Sequence, residues 1–581
     1  MSSFARVLID RSEGRELDYA IPGELKDRVA VGERVVVKVR NRRALGTILE
    51  LMAHSAVPGI RMIEGLVGHE STLPTVMMKL ARWMADYYCA PLASVMRAML
   101  PPMLRGEKVA GKKIRMAEFA STISDAEMQQ LTRKAPKQHA ILSKLREKDV
   151  AMPVEALLRE SGGSDASLRA IVSAGWVQIT EVRVSSHERG GEIILPSRKP
   201  TLNPDQESVV STLLKSVQDS GESGNEKPFL LHGVTGSGKT EVYLRTLGAV
   251  LESGKSAIVL VPEISLTPQT VERFRSRFDH AEGGGAGVAV LHSHLTDAER
   301  REEWMRLQRG EARIAIGARS AVFAPLCNLG LIIVDEEHEN TYKQEETPRY
   351  HARDVAVMRG RLEGCPVLLG SATPSVESYR NALSGKYHLL ELPRRADGQI
   401  MPLIRMVDLR LLGKRAKSDG GISAPLQMAI TKRLELGQQT ILFLNRRGFA
   451  TSMLCEQCGH VCRCPNCSLS MTFHREENRL ACHLCGHGSK PPECCPECRD
   501  PGIRHSGIGT QRVEEGIRRA FPSARIARMD ADTMKRRGSY ADVLGKFRAR
   551  QVDILIGTQM IAKGLDFPNG TLVGIINADI G

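Results

Sequence analysis

The sequence predicts a multidomain α/β protein: two consecutive parallel-sheet lobes, the second interrupted by a double-zinc insertion, preceded by a β-rich domain and a winged-helix domain. Three observations carry that prediction. From residue 199 onward, apolar strands such as FLLHGV, AIVLVP, ARIAIGA, LGLIIVD and PVLLGSA alternate with helical segments, which is the pattern of a doubly wound sheet. Ten cysteines fall between Cys455 and Cys498, and eight of them form four C-x-x-C pairs. The strand FLLH runs directly into Gly233-Val234-Thr235-Gly236-Ser237-Gly238-Lys239-Thr240, a G-x-x-x-x-G-K-T loop.

A chain of 581 residues holds about four domains at roughly 150 residues each. Its 42% hydrophobic and 25% charged residues are ordinary for a globular protein. The formal charge of +14 points to a polyanionic partner. Two filled Cys₄ sites would lower it only to about +10. Clustered C-x-x-C pairs, with Cys89, Cys327 and Cys365 scattered elsewhere, indicate a reduced, cytoplasmic chain rather than a disulfide scaffold. No apolar run approaches the roughly 20 residues that span a bilayer, and the N-terminus has no secretory h-region. A membrane protein is not expected.

The elements follow in order. Residues 1–108 open with the alternating strands FARVLI, RVVVKV and LGTILEL and continue into a helical stretch that stops at Pro101-Pro102. Residues 109–198 carry three amphipathic helices (KQHAILSKLREK, PVEALLRES and DASLRAIVSAGW) and then the strand-like VQITEVRV; this order predicts a winged helix, with a generic helical linker domain as the alternative. The first α/β lobe spans 199–395. The second begins at 396–454, is interrupted by the zinc module at 455–499, and resumes over 500–581 with RIARMD, DILIGT and LVGIINAD.

The glycine-rich loop predicts a nucleotide site holding ATP and Mg²⁺. Glycines let backbone N–H groups curl around phosphates, and the helix that follows adds positive potential. Lys239 would reach the β- and γ-phosphates, and Thr240 would hold the metal. About 95 residues downstream, the strand LIIVD ends at Asp335 and Glu336. One carboxylate suits Mg²⁺, the next an attacking water. His338 is expected either to couple this motif to Ser371-Ala372-Thr373 or simply to pack.

Further segments follow in order: Val-Pro-Glu263 to Gln269, Gly317-Ala-Arg319-Ser320, Asp335 to His338, Gly370 to Thr373, and Gly557 to Asp566. They resemble motifs Ia, Ib, II, III and V of superfamily-two helicases. Leu-Asn-Pro-Asp-Gln206 resembles the segment whose glutamine reads adenine. DEEHENTYKQEETPRYHARD, LNRRGFA and the nested cysteines make the whole chain similar to the primosomal replication-restart helicases. The resemblance implies RecA-like lobes and ATP-driven 3′-to-5′ unwinding. It also implies recognition of stalled or abandoned forks and primosome assembly in the nucleoid. The implied partners are forked and single-stranded DNA, helicase-loading proteins and single-stranded DNA-binding protein.

Cysteine spacing alone permits sequential or nested pairing. The resemblance implies nesting: Cys455, Cys458, Cys495 and Cys498 for one Zn²⁺, and Cys464, Cys467, Cys482 and Cys485 for the other, with Cys462 and Cys494 as bystanders. It further implies that the N-terminal segment captures a 3′ end, with Asp18, in an acidic-aromatic turn, sensing the terminal hydroxyl. Arg40 belongs to a basic run, Lys38 to Arg43, that replaces the family's glycine-containing loop; Arg61 stands loosely where another cation is expected. The loop from Asn340 to His351 mixes aromatics with cations, so Tyr342, Lys343 and Arg349 are candidate DNA contacts. Arg319, Arg446, Arg447 and Lys563 are candidate phosphate contacts.

The sequence stops at Gly581 without a Q-x-x-G-R-x-G-R segment, which supplies arginines to the γ-phosphate in such motors. The expectation is therefore a C-terminally truncated helicase. The alternative is a scaffold that binds forks and ATP without turnover.

Overall fold

The computed structural model describes residues 3–10, 14–67, 73–105, 113–120, 123, 125–148, 151–183, 200–219, 227–263, 266, 268–279, 286–293, 295–396, 398, 402–408, 422–444, 451–455, 457–474, 477–482, 484–501, 503–506, 510–530, 539–558, 561, 567–576 and 578. The chain folds as two compact units. One comprises residues 1–263 and 272–397, the other 264–271 and 398–581.

In the first unit, alternating apolar residues produce β1 (Phe4–Ile9), β2 (Glu16–Ala20), β3 (Arg34–Val39) and β4 (Arg42–Met52). With β5 (Gly65–Leu66) they form an antiparallel sheet ordered β2-β1-β4-β3-β5. Val7, Ile9, Tyr19, Val35, Val37 and Ile48 fill its buried face. Gly32 sits at φ +92, and a Cβ there would lie 2.0 Å from the Leu73 carbonyl oxygen. Only glycine fits that approach. The helices α1 (Thr75–Tyr87) and α2 (Leu92–Met99) each start immediately after a proline, whose fixed φ suits a helix entrance. Their apolar faces, Leu80, Ala81 and Met84 on one and Val95, Met96 and Met99 on the other, merge with the core of the first α/β lobe.

Next come β6 (Lys113–Phe119), α3 (Asp125–Lys134), α4 (Pro136–Lys148), β7 (Met152–Pro153), α5 (Val154–Ser161), α6 (Asp165–Ser173) and β8 (Val177–Arg183). The strands form an antiparallel sheet ordered β7-β6-β8, and Ile141, Leu142, Leu157, Leu168 and Ile171 make a separate core. The sequence predicted three helices here. The structure adds α3 and the leading strand β6. In α3, among the described residues, only Met128 and Leu131 pack inward, too few for the sequence to reveal a helical period.

The first lobe contains α7 (Pro204–Asp219), β9 (Phe229–Gly233), α8 (Lys239–Glu252), β10 (Ser256–Leu260), α9 (Pro268–Phe278), β11 (Val288–Leu291), α10 (Asp297–Gln308) and β12 (Ile314–Gly317). It continues with β13 (Leu329–Asp335), α11 (Ala352–Glu363), β14 (Val367–Ser371), α12 (Val376–Leu383) and β15 (His388–Leu392). All seven strands are parallel, ordered β11-β12-β10-β13-β14-β9-β15. The adjacent strands β13, β14 and β9 thereby bring Asp335, Ser371 and the glycine-rich loop to one carboxyl edge, where open parallel sheets bind ligands.

The second unit has α13 (Ala424–Glu435) and β16 (Gln439–Leu444), then the cysteine-rich strands β17 (Thr451–Cys455), β18 (Thr472–His474), β19 (Arg479–Ala481), β20 (Gly488–Ser489) and β21 (Ile503–Ser506). It resumes with α14 (Thr510–Ala520), β22 (Ile526–Met529), α15 (Ser539–Arg548), β23 (Ile554–Gly557) and β24 (Gly570–Ile576). A parallel sheet ordered β22-β23-β16-β24 is the lobe proper; the inserted strands form their own sheet, β20-β19-β18-β17-β21. The insertion runs from Thr451 to Ser506, wider than 455–499, because its closing strands flank the cysteines. Among the described residues, no helix is long and apolar enough to cross a membrane.

Met84 is fully buried in the core shared by α1 and the first lobe. Met84→Ala is expected to reduce the unfolding free energy by about 2–4 kcal/mol in a urea titration. A change below about 0.5 kcal/mol would mean the seam is not a packed core.

Candidate nucleotide site and zinc module

The glycine-rich loop closes over the N-terminus of α8. Gly236 and Gly238 lie at φ +80 and +81, in the left-handed region that glycine adopts without strain. A Cβ on Gly238 would also sit 2.2 Å from Gln206 Nε2. That amide nitrogen donates to the Ser237 carbonyl at 2.9 Å, while Gln206 Oε1 accepts from Asn203 N–H at 3.0 Å. Gln206 thus props the loop. Lys239 Nζ donates to the Gly233 carbonyl at 2.8 Å. The chain after β15 crosses the loop, with Ala396 N–H donating to the Gly236 carbonyl at 2.9 Å and the Arg394 guanidinium paired with Asp205. Thr240 is half-buried in the first turn of α8.

Asp335 ends β13 facing this loop. Its Oδ1 accepts from the Tyr243 hydroxyl at 2.9 Å, and its carbonyl accepts from the Tyr342 hydroxyl at 2.7 Å. Burial and the Glu336 charge push the Asp335 carboxyl up to about 6, against the Tyr243 bond and Lys239. Glu336 has φ +47, a left-handed conformation that costs a non-glycine residue of order 1–3 kcal/mol. The turn sends Glu337 inward. Glu337 is 0% exposed and accepts from Arg353 Nη1 at 3.0 Å, Ser375 N–H at 2.6 Å and Ser378 Oγ at 2.8 Å. His338 Nδ1 lies 2.8 Å from Ser371 Oγ, which accepts from Thr373 N–H at 3.0 Å. His338 is thus joined to the Ser371–Thr373 segment. Sequence reasoning assigned nothing to Tyr243 or Glu337. Tyr243, four residues after Lys239 and one helical turn away, was the available signal.

Each cysteine pair occupies the same knuckle. The first cysteine's carbonyl accepts from the N–H four residues on (Gly459, Ser468, Gly486, Arg499), and its own N–H donates to the carbonyl five residues on (His460, Leu469, His487, Asp500). The four N–H donors all have positive φ. The pairs converge as two sets, Cys455/Cys458/Cys495/Cys498 and Cys464/Cys467/Cys482/Cys485. Nesting is the arrangement observed. Sulfur separations of 3.5 Å for Cys455–Cys498 and Cys458–Cys495, and 3.6 Å for Cys464–Cys485, approach the roughly 3.8 Å edge of a tetrahedron with Zn–S near 2.3 Å. Both sets therefore fit Zn²⁺. The His487 N–H, then Cys467, holds the Cys485 thiol down at about 7, and the same contact pushes the Cys467 thiol up to about 12. Cys462 and Cys494 belong to neither set.

Three family models match these regions: a 3′DNA-binding domain (3′BD) over residues 6–101, a DEAD/DEAH box helicase over 203–382, and the PriA DNA helicase Cys-rich region (CRR) domain over 464–490. The Replication restart protein PriA of Bacillus subtilis (strain 168) is 38% identical, across 99% of this chain and 79% of its own length. That of Chlamydia pneumoniae is 38% identical over 100% and 76%, and that of Haemophilus influenzae 37% over 97% and 75%. The chain belongs to the PriA replication restart family.

The DNA contacts expected of a PriA chain are placed unevenly. Asp18 lies in β2 rather than in a turn; its side chain, 9% exposed, is paired with Arg6 at 3.1 Å and accepts from Ser55 Oγ at 2.6 Å. The Ser55 bond, then Arg6, holds its carboxyl below the usual range, against burial. Arg40, at φ +54, is exposed in the two-residue turn from β3 to β4. Lys38 and Arg43 beside it pair with Glu64. Arg61 is exposed. One expectation is corrected: Tyr342 is only 1% exposed, and Tyr350 equally so. Neither ring can stack on a base, because each is packed into the lobe's core. Lys343 and Arg349 remain exposed on the same loop, and Arg319 Nη1 donates to the Lys343 carbonyl at 2.7 Å. Arg446, Arg447 and Lys563 lie outside the described residues.

A Cβ on Gly370 would sit 1.8 Å from the Tyr243 hydroxyl oxygen. Gly370→Ala is expected to destabilise the lobe by about 1–3 kcal/mol through overpacking and to depress ATP hydrolysis; wild-type melting and turnover would contradict this packing. Cys482→Ser should cut bound zinc from two ions per chain to one, counted by a chromogenic chelator after denaturation. Two retained ions would remove Cys482 from the ligand set.

Proposed function

We propose that this chain is an ATP-driven, 3′-to-5′ DNA helicase that recognises stalled or abandoned forks and initiates primosome assembly in the cytoplasm, on the nucleoid. The observation that best supports it is the double tether of Asp335: Tyr243 joins it to the helix of the phosphate loop, and Tyr342 joins it to the cation-bearing loop that follows. A motor needs such a link between the nucleotide and the DNA contacts.

In this reading, Lys239 leaves the Gly233 carbonyl for the β- and γ-phosphates, and the Gly233–Thr240 backbone holds them, as helix N-termini do. Thr240 and Asp335 would hold Mg²⁺, which when bound neutralises phosphate charge. Glu336 orients the attacking water, and Gln206, in α7 against the loop, reads adenine. Asp18, Arg40, Arg319, Lys343, Arg349 and Lys563 contact DNA. Helicase loaders and single-stranded DNA-binding protein complete the proposed set of partners.

The test is steady-state ATP hydrolysis with and without forked DNA, in the wild-type chain and in Lys239→Ala. Expected are DNA-stimulated turnover in the wild type, loss of at least about 100-fold in the variant, and equal fork binding by both. Fork binding without wild-type turnover would favour the scaffold reading. Fork binding lost with Lys239 would contradict the separation of nucleotide and DNA sites.

A further inference from the structure

The last turn of α1 carries an aromatic group with no role in the nucleotide or zinc chemistry. Trp83 and Tyr87 lie four residues apart, one helical turn, so their rings meet on one face. The centroids are 4.8 Å apart and the planes 18° from parallel. Tyr88 meets both edge-on, at 4.9 Å from Tyr87 and 6.1 Å from Trp83. Tyr88 is itself committed: its hydroxyl accepts from His351 N–H at 3.1 Å, and burial pushes it up to about 12. Tyr87 has no such anchor and remains 60% exposed. A large ring held rigid by a stacked neighbour, yet open to water, is an unusual surface for a chain with so few aromatics.

A cation stands over Tyr88, the third ring of the group. The Lys343 ammonium lies 5.5 Å from the Tyr88 ring centroid and reaches the Arg349 carbonyl. Arg319 holds the same stretch through the Lys343 carbonyl. All these residues belong to the first unit, and α1 packs on α11, the helix that follows this loop. An aromatic face next to a fixed ammonium matches the two chemical halves of an unpaired nucleotide: a base that stacks and a phosphate that pairs. The chain's formal charge of +14 favours a polyanionic occupant.

We propose that the Trp83–Tyr87 stack, with Lys343 over the adjoining Tyr88 ring, is a platform for one unpaired base of single-stranded DNA. The platform lies on α1, whereas Asp18 and Arg40 belong to the β-sheet that precedes it. It takes over the stacking role that the buried Tyr342 and Tyr350 cannot fill. The proposal rests on the reading that this chain binds DNA, and its test keeps the two apart.

The test is fluorescence anisotropy with a labelled oligo-dT strand and with a fully abasic deoxyribose-phosphate strand of the same length. Wild type should bind oligo-dT more tightly than the abasic strand. Tyr87→Ala should lose about tenfold in affinity for oligo-dT and nothing for the abasic strand, and Tyr87→Phe should bind both like the wild type. Oligo-dT affinity unchanged in Tyr87→Ala would overturn the platform and leave DNA binding intact. Equal losses on both strands would overturn it too, since they would report phosphate contact or misfolding. Wild-type chain that bound neither strand would remove the DNA-binding reading itself.

Discussion

The first lobe is organised around the end of β13, where two buried tyrosine hydroxyls converge on Asp335. A buried phenol must find a partner or lose the free energy of its hydration. Tyr243 finds one on the Asp335 carboxylate, Tyr342 on the Asp335 carbonyl. The helix of the phosphate loop, the central strand and the loop to α11 are thereby fixed relative to one another. Gly370 follows from the same constraint, because any side chain there would occupy the position of the Tyr243 hydroxyl. The left-handed Glu336 follows as well: the chain must turn sharply for Glu337 to enter the core and meet Arg353, Ser375 and Ser378. Burial, and then the neighbouring Glu336 charge, raises the Asp335 carboxyl to about 6. A cation held at this edge would offset both effects.

The N-terminal segment shares in this rigidity. Its sheet has its own core, but α1 and α2 bury their apolar faces in the core of the first lobe, together with Phe323, Tyr350 and Val355. Tyr88 adds a polar link by accepting from His351 at the end of the cation-bearing loop. The β6–β8 domain is different: its core is self-contained. One unit thus holds two kinds of attachment. A shared apolar core restricts relative movement, since packed interiors are not continuously deformable, whereas a domain with a separate core lacks that restraint.

What the sequence made legible were features set by local spacing. The glycine-rich loop, Asp335 at a strand end and the four cysteine pairs each carry their chemistry within a few residues; the loop and Asp335 share one sheet edge, and the cysteine pairs gather into two sets. Burial of individual aromatics was not legible. Tyr342 and Tyr350 lie in a polar, charged stretch that reads as an exposed loop, yet both point inward because Asp335 and Phe323 lie beneath them. Tyr87 and Trp83 sit in an apolar helix that reads as core, yet Tyr87 projects outward. The helix α3 was missed because its mostly polar face gives no period. The nested zinc pairing needed either family resemblance or coordinates, since spacing allows two solutions.

The zinc module shows why such a short insertion can hold a shape. Its strands are two to five residues long, and strands that short do not sustain a sheet unaided. Its core consists largely of the cysteines themselves, with Met453, Met471, Phe473 and Leu480 between them. Two of the four knuckles place a non-glycine residue, Ser468 or Arg499, at positive φ, a conformation that persists only where surrounding structure enforces it. Apolar burial on this scale cannot supply that enforcement, but metal ligation can, because the free energy of binding zinc is also free energy of folding. The two ions would then serve as the module's core, and the strands β17 and β21 would transmit that order to the lobe on either side of the insertion.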